Sequence, residues 1–92
     1  MSAISMIATH MNAPYGAVVT EDDVAQSFAA GRFCAATSEA NEILCAMFIE
    51  CDKALIERAA RELGVSPETL NALYADSLER GVHAVPWQTK EP

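Results

Sequence analysis

The sequence predicts a small all-α domain. Apolar residues recur at helical spacing through most of the chain, capping residues stand before those runs, and glycine follows several of them. The chain has 92 residues, including 4 Gly and 4 Pro, and this length is enough for one hydrophobic core. We expect a single domain of three to four helices spanning residues 1–92.

The predicted elements are an N-terminal arm, three helices and a tail. Residues 1–19 hold no Asp, Glu, Lys or Arg, and we expect an uncharged arm that lies on an apolar surface of this chain or of a second copy. Residues 20–30 form a helix, since Thr20 can cap it and acidic residues complement its positive end. In the tail, residues 81–92, Trp87 is the expected anchor.

An apolar run from Ile43 to Ile49 stands between two glutamates. In a helix this run would be apolar on all sides. Because no Gly or Pro lies between residues 38 and 63, we expect one long helix there, continuous or slightly kinked, although Asp52 could instead cap a new helix. The long helix either forms the centre of the core or leaves one side for a partner. The second interpretation predicts a homodimer.

The segment 54–80 has the pattern of two helices joined by a tight turn. Gly64 supplies a left-handed residue that ends the first helix, Ser66 caps the second, over residues 66–80, and Pro67 occupies its first position. This segment resembles a helix-turn-helix, and the resemblance implies that the second helix enters the major groove of DNA. The candidate DNA contacts are Arg58, Ser66, Thr69 and Asn71.

The charge balance favours a different partner. Thirteen acidic residues stand against six basic ones, giving a net charge of −7. Phosphate binding relies on Lys and Arg, so this balance disfavours nucleic acid and anionic membrane and suits a basic protein surface. The chain also shows no signal peptide and no apolar run of membrane-spanning length. We therefore expect a cytoplasmic protein.

No catalytic or metal-binding constellation is evident, and we expect neither an enzyme nor a bound cofactor. Cys34, Cys45 and Cys51 lack metal-site spacing, so we interpret them as reduced, buried thiols. The two histidines, His10 and His83, lie far apart in the sequence and do not indicate a zinc site.

Asp76-Ser77-Leu78 is similar to the Asp-Ser-Leu signature of acyl carrier proteins, whose serine carries a phosphopantetheine arm. In that family the motif opens a helix, whereas here it stands near the end of one. We therefore interpret Ser77 as an exposed helix residue without that role.

The first functional hypothesis is a small acidic regulator that binds and inhibits or sequesters a protein such as a transcription factor, as a homodimer. In size and charge the chain is similar to bacterial anti-activators, including those of quorum-sensing receptors, and to phage inhibitors such as anti-CRISPR proteins. The alternative is a dimeric helix-turn-helix repressor that binds DNA. The residues expected to bind a protein partner are Ile43, Leu44, Met47, Phe48, Cys51, Leu55 and Trp87.

Overall fold

The computed structural model describes residues 2–81, where all regular elements are helices, as predicted. This described range contains five helices of at least seven residues and a single helical turn, α4, which is more than the three to four helices expected. In chain order the elements are α1 Ala3–Asn12, α2 Glu21–Ala30, α3 Ser38–Leu44, α4 Met47–Glu50, α5 Lys53–Leu63 and α6 Pro67–Glu79.

The N-terminal residues form helix α1, so the prediction of an arm over residues 1–19 is wrong for residues 3–12. Ser2 Oγ accepts the N–H of Ser5 at 3.1 Å, and Glu62 Oε1 of α5 accepts the N–H of Ala3 at 3.0 Å. The helix packs against α2 and α5 of the same chain. The apolar stripe at helical spacing therefore makes this segment a packed helix, although it has no charged residues. Its buried residues are Ala3, Ile4, Ile7, Ala8 and Met11.

The predicted long helix over residues 38–63 is broken twice, and that prediction is also wrong. Cys45 and Ala46 form a turn after α3, and Cys51 and Asp52 are extended before α5. A straight helix over residues 38–63 would be about 39 Å long, from the rise of roughly 1.5 Å per residue. The longest dimension of the molecule is 36 Å. The two breaks change the direction of the chain, so that the apolar run packs in the core of the same chain.

The turn between α5 and α6 has the local chemistry that the sequence predicts. Gly64 is left-handed with φ 71°, and the N–H of Val65 donates to Ala60 O at 2.8 Å. Ser66 Oγ then accepts the N–H of Thr69 at 3.1 Å, with Pro67 at the first helical position. Both helices pack on α2, and α5 also packs on α1.

The loop between α2 and α3 is fastened by side chains from three helices. Four consecutive backbone N–H groups, those of residues 33–36, each donate to a side-chain oxygen. These acceptors satisfy donors that the loop itself leaves without a helical partner. The bonds are Phe33 to Asp76 at 2.9 Å, Cys34 to Ser27 at 3.1 Å, Ala35 to Asn41 at 3.1 Å and Ala36 to Asp23 at 2.9 Å.

The same loop places an aromatic side chain in the core. Phe33 is 1% exposed and meets the ring of Phe48 edge-on, with centroids 6.4 Å apart. Phe48 in turn meets Tyr74 edge-on at 5.2 Å. Arg80 closes the arrangement, since its guanidinium donates both to Asp76 Oδ2 at 2.7 Å and to Phe33 O at 2.9 Å. This cluster joins the loop, α4 and α6 into one core.

Substitution of Asp23 by alanine tests the contribution of the loop fastening. The change removes the acceptor for the N–H groups of Thr20 and Ala36 and should lower the free energy of unfolding by about 2 kcal/mol. Urea denaturation followed by circular dichroism measures the loss. The control is Asp22→Ala, an exposed neighbour that bonds only to Gln26 among the described contacts, with an expected loss below about 1 kcal/mol. Equal losses in the two variants would contradict the assignment.

The stability of the fold should fall in acid. Burial alone would raise the pKa of Asp23 and Asp76. Hydrogen bonds from Thr20 and Ala36 to Asp23, and from Phe33 and Arg80 to Asp76, outweigh burial and lower each pKa below its ordinary 3.8. A carboxyl with a lowered folded pKa stabilises the fold at pH above its unfolded value, and that contribution disappears as pH falls through the folded value.

The free energy of unfolding should therefore be level above about pH 5 and decrease below about pH 4. Urea titrations between neutral pH and about pH 2 measure this profile. The Asp76→Asn variant should be less stable at neutral pH and lose less on acidification. Profiles that run parallel for the variant and the native chain would show that Asp76 is not one of the responsible groups.

Candidate functional site

A groove opens where the C-terminal end of α1 faces α3 and α4, and it encloses about 340 Å³. Its lining is mixed, with apolar side chains beside two carboxylates, an imidazole and a phenol. We call it the α1–α3 groove. Its lining residues are His10, Met11, Pro14, Tyr15, Glu42, Ile43, Ala46 and Glu50.

The turn after α1 holds Tyr15 beside the groove. The N–H of Tyr15 donates to Asn12 O at 2.8 Å. The side chain of Asn12 then fixes the following residues, accepting the N–H of Val18 at 3.1 Å and that of Val19 at 2.7 Å, and donating to Val19 O at 2.7 Å. Tyr15 keeps 58% of its surface exposed. Tyr15 is thus exposed to solvent on a turn whose backbone is held by hydrogen bonds to Asn12.

The acidic side of the groove belongs to a segment without positive charge. Residues 38–52 contain four carboxylates and no Lys or Arg, and all four are exposed. Arg58 and Arg80 pair with Glu62 and Asp76, and the first basic residue after this segment is the exposed Lys53. The segment therefore carries a negative potential that attracts cations. The four residues are Glu39, Glu42, Glu50 and Asp52.

A second, more open depression lies at the turn between α5 and α6 and encloses about 350 Å³. Its charged residues are one of each sign, Glu57 and Arg61, beside the apolar Ala60, Val65 and Leu70. Since these charges balance, the depression shows no preference for a cation or an anion. We therefore take the α1–α3 groove as the candidate functional site.

The structure places most of the residues expected to bind a partner in the core of the chain itself. Leu44 and Met47 are 0% exposed, Phe48 is 5% and Cys51 is 9%. A partner could reach these four only after the fold opens, so they are core residues and their assignment as a binding face is corrected. Of the others, Ile43 and Leu55 are half-buried, and Ile43 lines the α1–α3 groove. Trp87 lies outside the described residues.

The four candidate DNA contacts lie on α5, on α6 and at the turn between them, and most have structural partners. Arg58 Nε pairs with Glu62 at 2.8 Å. Ser66 Oγ lies 3.0 Å from Thr69 Oγ1 and caps α6. A Cβ built at Gly31 would lie 3.3 Å from Thr69 Cγ2, which shows how closely Thr69 approaches the end of α2. Asn71 is exposed. The geometry thus accounts for Ser66 and Thr69 without a nucleic acid.

Ser77 is fully buried, contrary to the prediction of an exposed residue. Its Oγ donates to Cys45 O at 2.9 Å, at the turn that ends α3. This turn leaves a carbonyl without a helical partner, and the hydroxyl satisfies it. The position is explained by the break after α3, and a buried hydroxyl cannot carry a prosthetic arm.

Two of the three thiols are buried, as predicted for Cys45 and Cys51, whereas Cys34 is half-buried. Burial raises the pKa of Cys51 to about 12, with smaller contributions from Glu50 and Asp52. Burial also raises the pKa of Cys45. A raised pKa keeps both groups as thiols at neutral pH, so they are poor nucleophiles.

Two further observations limit the kinds of site. Within residues 2–81, no three His, Cys, Asp or Glu side chains are grouped closely enough to hold a metal ion. None of the helices in that range combines the length and apolar character needed to span a bilayer.

Comparison of the chain with protein-family models, with curated proteins and with solved structures finds no match. The functional argument therefore rests on the chemistry of the residues themselves.

Sequence reasoning identified one groove residue, Ile43, and missed the others that define its chemistry. The sequence prediction places His10 and Tyr15 in an uncharged arm, whereas the structure places His10 in α1 and Tyr15 in the turn after it. Glu42 and Glu50 were seen only as the flanks of the apolar run. The signal was present, since both are acidic residues beside an apolar segment in a chain of net charge −7.

Adjacent glutamate substitutions should separate core from surface in the apolar run. Phe48→Glu places a charge in the core, where Phe48 meets two aromatic rings, and should unfold the chain. Ile49→Glu changes a residue that is 47% exposed and should retain the helical spectrum, with a loss within about 1 kcal/mol. Thermal unfolding followed by circular dichroism compares them. A folded Phe48→Glu variant would contradict the assignment of Phe48 to the core.

Proposed function

We propose that this chain is an acidic regulatory protein that binds a basic surface of a partner protein and inhibits or sequesters that partner, in the manner of an anti-activator. The observation that carries the proposal is the α1–α3 groove, where Glu42 and Glu50 stand beside apolar residues and the exposed ring of Tyr15. Apolar residues beside an exposed aromatic side chain are typical of the centre of a protein interface, and carboxylates are typical of its polar rim.

The net charge supports the same proposal. An excess of carboxylates over a chain of 92 residues, with net charge −7, steers a basic partner towards it and repels nucleic acid. A transcription factor is one partner of suitable charge, because its DNA-binding surface is basic. A protein that covers such a surface competes with DNA for it, which gives a physical route to inhibition.

This proposal differs from the sequence-based hypothesis in two respects. The homodimer prediction depends on an apolar helix that one chain cannot cover, whereas Leu44, Met47 and Phe48 are covered within the chain. The proposal therefore uses a single copy. The contact also moves from the apolar run to the groove, of which only Ile43 and Ala46 belong to that run.

The alternative, DNA binding by the α5–α6 segment, has less support. The hydroxyls of Ser66 and Thr69 are bonded locally, Arg58 pairs with Glu62, and Glu68 is exposed in the first turn of α6. Specific readers of the major groove offer free donors at this position.

Affinity capture with a charge-matched pair of variants tests the proposal. The bait carries its tag at the C-terminus, because Ser2 and the N–H of Ala3 take part in the start of α1. We expect the native chain to retain a basic protein that salt releases, and the Glu42→Gln, Glu50→Gln double variant to retain at least about fivefold less. The control double variant, Glu68→Gln with Glu79→Gln, makes the same change in net charge on α6 and should retain it fully.

The captured protein is then purified and its activity is measured with increasing amounts of each variant. The native chain and the control should inhibit it, whereas the groove variant should not. In parallel, fluorescence anisotropy of labelled DNA duplexes measures the alternative. Tight DNA binding that weakens steeply with salt would overturn the proposal in favour of a DNA-binding protein. Equal retention of the partner by the native chain and both double variants would show that the groove does not bind it.

A further inference from the structure

The geometry of the α1–α3 groove points to an arginine side chain of the partner protein as its occupant. This inference rests on the function proposed above and makes it more specific. It concerns which group the partner inserts, where that group is held, and which residues of this chain recognise it.

The size of the groove suits a side chain. At about 340 Å³ it lies at the lower end of the range for ligand sites, roughly 300 to 1,000 Å³. It is partly open to solvent, so it would leave part of a free small molecule exposed. A side chain that projects from a protein surface needs only one open side, because its own backbone covers the entrance.

The lining of the groove suits a ligand with an apolar stem and a positively charged end. Pro14, Ile43 and Ala46 provide aliphatic surface, and Met11 is buried beneath them in the core. Glu42 and Glu50 provide carboxylates in the same groove. Lysine and arginine combine a methylene stem with a cationic head, and they bury the first while keeping the second near polar groups.

Two features of the groove favour arginine over lysine. Two carboxylates line it, and a planar guanidinium has five N–H donors that can serve both, whereas an ammonium acts as a point charge. The ring of Tyr15, which is 58% exposed, offers a face on which a guanidinium stacks. Arginine is also among the residues that most often dominate protein interfaces.

The geometry also disfavours a metal ion as the cation. No cluster of three ligating side chains occurs among residues 2–81, and Glu42 and Glu50 are both exposed. A divalent cation bound by such groups would keep most of its water. The apolar part of the lining would then have no role, whereas an arginine stem covers it.

Nuclear magnetic resonance titration of the full isotopically labelled chain tests the inference with defined probes. The probe is glycyl-arginyl-glycine amide. Matched peptides carry lysine, the uncharged isostere citrulline, or the apolar norleucine in the central position. A single anchoring side chain should bind with a dissociation constant on the order of millimolar. We expect saturable shifts of the amide signals of Tyr15, Ile43 and Ala46 with arginine, weaker shifts with lysine, and none with citrulline or norleucine.

Variants of the chain then identify which side chains bind the arginine peptide. Glu42→Gln with Glu50→Gln should weaken arginine binding at least about fivefold, and Tyr15→Ser about threefold, since exposed charge pairs and cation–π contacts are individually modest. The control, Glu68→Gln with Glu79→Gln, should leave it unchanged. All three variants change exposed residues, so their spectra should remain those of the folded chain.

The outcomes separate this inference from the proposed function. Equal binding of arginine, citrulline and norleucine, equal weakening in the groove and control variants, or shifts away from the groove would each overturn the inference. A basic partner could still be captured and inhibited in those cases. Conversely, saturable arginine binding in the groove without any inhibited partner would overturn the proposed function and leave the recognition site intact.

Discussion

The structure depends on the need to satisfy four consecutive backbone N–H groups between α2 and α3. Residues 33–36 have no helical acceptors, so Asp76, Ser27, Asn41 and Asp23 supply them. Because these acceptors stand on α6, α2 and α3, the loop sets the positions of three helices at once. It also places Phe33 in the aromatic core. The hydrogen bonds to the backbone of this loop therefore position the helices that surround the hydrophobic core.

A second constraint is the small size of the domain. One straight helix could not bury an apolar run on all its sides, so the chain turns after α3 and the Ser77 hydroxyl satisfies the carbonyl of Cys45. The turn also shapes the surface. In a continuous helix Glu42 and Glu50 would stand about 12 Å apart along the axis, from the rise of roughly 1.5 Å per residue. In the bent segment both line one groove.

The sequence predicts the parts of this fold that local chemistry decides. Thr20, Gly31, Gly64 and Ser66 act as the caps and stops that their residue types indicate. The break after α4 matches the alternative in which Asp52 precedes a new helix, although its side chain makes no capping bond. No residue type marks the break after α3, because it comes from the fit of the whole chain. Recognition of the groove failed for the same reason, since it joins the turn after α1 to α3 and α4. Only a folded chain brings those segments together.

The buried thiol of Cys51 gives the protein a built-in reporter of its own opening. Its sulfur lies 3.9 Å from that of Met11, across the contact between the break after α4 and helix α1, and its pKa is about 12. An alkylating reagent modifies a thiolate only where it has access to it. The rate of alkylation at this position therefore follows the fraction of molecules in which the packing around Cys51, including its contact with α1, has opened. No label has to be engineered to observe that motion.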